Sequence, residues 1–446
     1  MFDYLKNIPI WLFLVCAIET HAESTGFYYG GEARARYESL DGQFRSGRSG
    51  NDQLGAFRGL VSLGYQGETM GFHAELQDAR GYLNDSSSPT SPSFVNPLDL
   101  LQVYVSLRSP QRILLADSNV KLGRFTLDIG SRRFVERNDF RNTINSYTGV
   151  HWNSSSHNGS NLDLFFVSPV DKKPKDFLSL SENKLELDKE NDNKRFWGAH
   201  WQRPDLFNEV QLDIFVYGVN EFDRPAKLTL DREVITAGTR VLRKKNAGRF
   251  DLDVEVGWRR GEMSQSTDPA SPELKVRAHM IHAEIGYTFS SSWNPRLGLE
   301  FDLATGDDTD TVHRYERYER FYGTRRGDLG NTSIHGPLTR SNISVPGLRF
   351  SFKKGPTDGR FLLQRASLHS AKDEWVVAKL RNETGDTGSR LGNTFDFRIR
   401  HWLKEDHVRI EIGGSILEFS HYVKELKPNL KEDRTIYGYS QISWFF

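Results

Sequence analysis

The stretch Phe250-Asp251-Leu252-Asp253-Val254-Glu255-Val256-Gly257-Trp258 alternates apolar and polar residues along almost its whole length. Successive side chains of a strand point to opposite faces. Phe250, Leu252, Val254, Val256 and Trp258 therefore share one face, and Asp251, Asp253 and Glu255 share the other. The same period of two recurs elsewhere. Ile281, Ala283, Ile285, Tyr287 and Phe289 alternate with His282, Glu284 and Gly286. Leu297, Leu299, Phe301 and Leu303 alternate with Gly298, Glu300 and Asp302, and Leu101, Val103, Val105 and Leu107 with Gln102, Tyr104 and Ser106. A soluble sandwich would show the same pattern with its charged face in water. The links between strands decide between the two.

Strands are expected near 27–38, 54–65, 71–82, 100–108, 118–127, 145–153, 161–169, 196–203, 208–218, 234–244, 249–261, 276–289, 295–304, 343–354, 360–369, 390–402, 407–419 and 434–446. That is about eighteen, an even number suited to a large membrane barrel. Links after odd strands are long: 39–53, 83–99, 170–195, 219–233, 262–275, 305–342, 370–389 and 420–433. Links after even strands are mostly short: 66–70, 204–207, 290–294, 355–359 and 403–406. Long loops at one end and tight turns at the other predict an all-β fold, a transmembrane antiparallel β-barrel over residues 23–446. The long links carry loop residues such as Ser86-Ser87-Ser88-Pro89, and the short Gly355-Pro356-Thr357-Asp358-Gly359 has turn chemistry. Ile442, Trp444 and Phe446 share one face of the last strand, the pattern expected of an outer-membrane assembly signal.

Composition agrees. Lys plus Arg number 59 and Asp plus Glu 59, so there is no bulk attraction to nucleic acid. The mean hydropathy of −0.58 resembles that of a soluble protein, but a barrel meets lipid only at every second residue. No segment after residue 22 approaches the roughly 20 apolar residues of a spanning helix. Lys6, the apolar run Ile8–Ile18 and Thr20-His21-Ala22 predict a signal peptide over residues 1–22, cleaved after Ala22. Cys16 is the single cysteine and follows Val15, where a lipoprotein site needs a small residue. Disulfides, zinc clusters and thiol catalysis are thereby excluded. No Gly-x-Ser-x-Gly elbow, phosphate loop or dinucleotide fingerprint occurs, so no enzyme and no cofactor are expected. Asp307, Asp308 and Asp310 lack the Gly and Glu of a calcium loop, and His279 and His282 fall on opposite strand faces, so no metal site is expected either.

Strand parity places Arg34, Arg36, Arg58, Arg240, Arg259, Arg349, Arg398, Arg400 and Arg409 on the polar, lumenal face. It places Glu32, Glu38, Glu75, Asp251, Asp253, Glu255, Glu284, Glu300, Asp302, Asp396 and Glu411 there too. With lists this balanced, each lumenal arginine either braces the wall through a cross-strand pair or meets a solute. The longest link, 305–342, holds Arg314, Arg317, Arg320, Arg325, Arg326 and Arg340 with Tyr315, Tyr318, Phe321 and Tyr322. Such a link either folds into the barrel and constricts it or caps the surface against lipopolysaccharide.

The segment NVKLGRFTLDIGSRRFVERNDFRNTINSYTGVHW at 119–152 resembles the alginate export family of outer-membrane proteins. The likeness rests on Leu122-Gly123-Arg124, Asp139-Phe140-Arg141-Asn142 and Gly149-Val150. Glu75-Leu76-Gln77-Asp78-Ala79-Arg80, EFDLATGD at 300–307 and Phe321-Tyr322-Gly323-Thr324 support it. The resemblance implies an eighteen-stranded barrel in the outer membrane of a Gram-negative bacterium, passing an anionic polysaccharide or oligosaccharide by diffusion. It implies that Arg124 and Arg141 belong to an arginine-rich constriction, and that lipid, lipopolysaccharide, the solute and periplasmic export components are the partners. Arg124 shares parity with the lipid-facing Val120 and Leu122, so it needs either a bulge at Gly123 or a place near the strand end. A small-solute porin and a structural or adhesive barrel remain the alternative functions.

Overall fold

The computed structural model describes residues 25–446 except 110–116, 208, 226, 309–312, 429 and 431. The signal peptide expected over 1–22 lies outside these residues. Eighteen strands form the wall: β1 Gly26–Asp41, β2 Asp52–Gln66, β3 Met70–Tyr82, β4 Asn96–Ser109, β5 Asp117–Phe125 and β6 Tyr147–Ser155. They continue with β7 Asn161–Asp171, β8 Lys194–Phe207, β9 Val210–Glu221, β10 Glu233–Arg243, β11 Arg249–Ser264 and β12 Glu273–Thr288. The last six are β13 Arg296–Ala304, β14 Ile343–Lys354, β15 Thr357–Ser367, β16 Arg390–Lys404, β17 Val408–Phe419 and β18 Arg434–Phe445. Each pairs antiparallel with the next, and β1 closes the ring on β18 from Glu32↔Phe445 to Asp41↔Ile436. Each expected strand overlaps one of these. Closure leaves the spanning strands no free edge, which a bilayer demands.

The faces are inverted relative to a soluble protein. Phe250, Trp258 and Leu299 are 61%, 53% and 62% exposed, while Asp251, Glu255 and Glu300 are at most 4% exposed. Apolar side chains outside and charges inside suit a wall between lipid and a wet lumen. One expected alternation fails. Leu101 was placed with Val103, Val105 and Leu107, but it is buried with Leu60 and Ile144. The β3–β4 register shifts between Glu75↔Gln102 and Leu76↔Leu100, so Leu101 is a bulged residue turned inward.

Nine connections of 8 to 38 residues lie at one end, and eight of 2 to 7 residues lie at the other. Two long ones, 126–146 and 305–342, enter the barrel. Their main chains pair in the lumen: Tyr322 N–H donates to Phe134 O at 3.1 Å, Thr324 N–H to Arg132 O at 2.9 Å and Glu136 N–H to Tyr322 O at 3.3 Å. Gly323 sits at this junction, where an added Cβ would lie 1.9 Å from Arg133 O. Phe134 packs on Phe215 and Tyr217 of β9, with ring centroids 4.7 and 5.5 Å away. At the opposite wall, Arg34 and Arg58 donate to Asp139 O at 2.7 and 2.8 Å, and Arg36 donates to Phe140 O at 2.5 Å. Residues 126–146 thus form a beam across the lumen. Further long links close over the same end, where Trp375 stacks on Phe44 at 5.1 Å.

Candidate functional site

Two charged walls flank the beam. Strands β9 to β13 present Asp213, Asp251, Asp253, Glu255, Glu284, Glu300 and Asp302 to the interior. Their charge is matched by wall arginines and by arginines of the inward links. Arg240 lies 2.7 Å from Asp253, Arg296 Nε 2.8 Å from Asp251 and Arg349 Nε 2.7 Å from Glu300. Arg133 of the beam reaches Asp253, Glu255 and Asp328 at 3.1, 2.7 and 2.9 Å. Arg340 meets Asp302 at 3.3 Å and also binds Asp328. His282, Asp302 and Asp328 bring possible ligand atoms within 4.8 Å of one another. Arg133 and Arg340 already hold these carboxylates, so the cluster is an ion-pair network.

The opposite wall carries the excess of arginines. Arg398 and Arg400 share Asp358 at 2.5 and 3.0 Å, Arg58 pairs with Glu32 at 2.5 Å and Arg326 with Glu411. Most of the lumenal arginines read from the sequence therefore brace something. Arg34, Arg36 and Arg58 hold the beam, and Arg240, Arg349, Arg398 and Arg400 sit in ion pairs.

The link 305–342 divides its candidates. Arg314 stays exposed at the rim beside β12, not in a constriction. Arg317 lies 2.8 Å from Asp373 and 3.4 Å from Glu374. Arg325 is buried and donates to the carbonyls of Gly336 and Leu338 at 3.2 Å each. Tyr322 packs against Phe196 and Tyr147 at 5.0 and 5.4 Å.

Arg124 requires a correction. It is not in the lumen. Gly123 has φ of 130° but does not turn the next side chain inward. Arg124 lies on the outer face near the end of β5, within 2.6 Å of Glu190 and 4.0 Å of Asp99. Strand parity was right and the pore-lining expectation was wrong.

Arg141 and Arg320 remain. Among the described residues neither has an ion pair or a side-chain hydrogen bond, and both stay partly accessible inside the barrel. Burial is the largest cost to both cations. It and the nearby Arg141 and Arg340 push Arg320 down to about 9, while Glu136 opposes the shift at both arginines. Lys172 lies beside Thr143 and Asn145 at 3.0 Å each, and burial followed by Arg141 pushes it down to about 7. Burial, with Asp128 and Asp139 adding to it, pushes Glu136 up to about 7. An unpaired cation held in a part-buried passage offers a carboxylate a site that water competes for weakly.

Cavities open on both sides. One of about 390 Å³ faces the short-turn end and is lined by Arg58, Arg137, Arg409, Glu32, Glu411 and Asp139. There Arg409 also lacks a carboxylate partner among the described residues and lies 5.2 Å from the rings of Trp402 and Phe445. The other, about 150 Å³, faces the long-loop end and is lined by Arg320 with Arg232, Arg259, Tyr315, Phe321 and Tyr322. The sequence reading placed Arg141 and Arg320 at a constriction but missed the beam, with Arg133, Glu136 and the adjoining Lys172. A signal was present: Leu127, Ile129, Phe134, Val135, Phe140 and Ile144 are too apolar for a link in water.

The alginate export family model matches residues 27–436. No curated protein matches the chain significantly. Among solved structures, the chain resembles OccK9 (OpdG) of Pseudomonas aeruginosa at 13% identity, covering 94% of this chain and 98% of that one with a TM-score of 0.62. It resembles OpdK of the same organism, solved with vanillate, at 13% identity, 94% and 98% coverage and a TM-score of 0.59. OccK2 (OpdF), solved with glucuronate, gives 13% identity, 94% and 97% coverage and 0.55. At such identity these likenesses speak for the fold. An outer-membrane channel barrel of the Gram-negative envelope, this chain belongs to the alginate export family.

Proposed function

We propose that the protein passes an anionic, uronate-bearing polysaccharide or oligosaccharide passively across the outer membrane, and that it is not an enzyme. The observation that carries this reading is that Arg141 and Arg320 have no ion pair or side-chain hydrogen bond among the described residues, in a lumen where Arg409 alone of the arginines placed there by strand parity shares that state. Arginine keeps its charge and matches a carboxylate with a planar fork of donors, so the pair favours each uronate as it passes. Tyr315 and Phe321 beside Arg320 supply ring faces for the sugar. Lipid and lipopolysaccharide surround the barrel, and periplasmic components deliver or receive the solute.

A second reading, a porin for small carboxylated solutes, is favoured by the modest cavities of about 390 and 150 Å³ on either side of the beam. Solved neighbours were crystallised with vanillate and with glucuronate, both carboxylates. Planar-bilayer recording tests both readings. The leading one expects anion selectivity and current block that strengthens from mono-uronate to oligo-uronate. Equal block by both favours the porin. Absence of conductance, the expectation for an adhesive barrel, refutes both.

A further inference from the structure

Lys172, the first residue after β7, reaches the beam, whereas residues 173–193 leave the lumen. They cross the rim and fold back against the outside of β3 to β5. The attachment is specific. Asn183 takes a hydrogen bond from Gly81 N–H at 2.9 Å and gives one to Gly81 O at 2.8 Å, supplying a ladder partner where β4 has ended. Asp188 accepts from Lys173 N–H at 2.7 Å and Asn96 Nδ2 at 2.8 Å, and its own N–H donates to Asp99 at 2.8 Å. Glu190 accepts from Arg124 at 2.6 Å and from Thr148 at 3.0 Å. Leu180, in the single helical turn Phe177–Ser181, tucks over the rim into a buried cluster with Leu54, Ala56, Phe94, Val95 and Ile334.

The arm is firmly seated, yet its Phe177, Leu178, Leu185 and Leu187 are 47%, 65%, 52% and 61% exposed. Between the arm and the wall lies a groove of about 750 Å³ lined by Leu76, Leu98, Leu100 and Val103 from the wall and Leu185 and Leu187 from the arm. These wall residues continue the lipid-facing band that includes Val105 and Leu122, both exposed. The polar groups of the groove, Arg124 with Glu190, Asp99 and Asp188, bond to one another and to neighbouring polar groups at its edge. Lys184 and Lys189 are exposed alongside, where their stems suit the headgroup level.

We propose that residues 177–190 lie within the outer leaflet and seat an acyl chain of its lipid in the groove between arm and wall. The apolar patch is then continuous with the membrane interface of the barrel, and Arg124 anchors the arm instead of meeting solute.

The test is site-directed spin labelling of the full chain in phosphatidylcholine–phosphatidylglycerol vesicles. Leu178→Cys, Leu185→Cys and Leu187→Cys are labelled one at a time in a Cys16→Ser background, with barrel closure checked by heat-modifiable gel mobility. Leu122→Cys on the lipid-facing wall and Ser266→Cys in the exposed link 265–272 are the references. The expected result is an oxygen-to-nickel-chelate accessibility ratio severalfold above that of Ser266→Cys and close to that of Leu122→Cys. A ratio equal to that of Ser266→Cys places the arm in water and overturns the proposal. Exclusion of both reagents means protein covers the arm, and overturns it equally.

Discussion

Replacing Arg141 by Gln removes one charge and leaves a shorter, still polar side chain. Among the described residues Arg141 has no carboxylate partner, so the change strands no buried anion there, and its main-chain carbonyl can still accept from Arg34 and Arg58. The barrel is therefore expected to fold, and the whole effect to fall on the permeant ion. A carboxylate about 4 Å from a guanidinium gains about 1 kcal/mol in bulk water and about 4 kcal/mol at an effective dielectric of about 20. Arg141 is only partly accessible, and the lower part of that range, about 1–2 kcal/mol, is expected, which is about 5–30-fold in binding. The assay is block of single-channel current by oligo-uronates of fixed length, titrated on wild type, Arg141→Gln and Arg320→Gln. Each variant should raise the blocking constant by that factor and lower anion selectivity. Arg349→Gln is the contrasting control. It leaves Glu300 without its partner in a buried pair, so it should cost about 3–5 kcal/mol of stability and change block little. Unchanged block in both Arg141→Gln and Arg320→Gln, with closed barrels, would refute the assignment of these arginines to the solute path.

Two more outcomes follow from the same geometry. Below about 7 Glu136 is neutral and Lys172 charged, and above it the reverse holds. Lowering the pH from about 8 to about 6 therefore makes the constriction more positive at both groups. Reversal potentials should show anion selectivity rising as pH falls, and the double variant Glu136→Gln, Lys172→Met should flatten that profile. Arg133→Met removes the cation that ties the beam to Asp253, Glu255 and Asp328. About 3–5 kcal/mol of local anchoring is lost, so single-channel conductance should rise and fluctuate more, whereas an unchanged, quiet channel would count against the beam as the constriction.

The wall was legible because one physical rule repeats along it. Lipid outside and water inside fix every second residue of each strand, so Phe250 to Trp258 reveals both faces by itself. Closure was legible in the sorting of links by length. Leu101 escaped because a bulge adds a residue that periodicity does not encode; only the partner strand shows the shift at Glu75/Leu76. Arg124 was misplaced for the opposite reason. Its parity was clear, and a motif was allowed to outweigh it, although a neutralising Glu190 from a link 66 residues away makes an arginine on the outer wall tolerable.

The constriction was harder to read, and the reason lies in what sets it. Parity tells which charges face the lumen but not which are already paired. Pairing depends on contacts such as Arg133 with Asp328, 195 residues apart, or Arg36 with Phe140, 104 apart. Both inward links supply arginines to the acidic side of β9 to β13, while the arginines of β1 and β2 are spent holding the beam. The solute path is then defined by subtraction: a cation is free where the ledger of neighbouring carboxylates runs out. Arg141 and Arg320 meet that condition because they stand where the two inward links join, away from the acidic wall that absorbs Arg133, Arg340 and Arg349. On the proposed function, selectivity would thus depend less on how many arginines line the lumen than on where the links leave two of them unmatched.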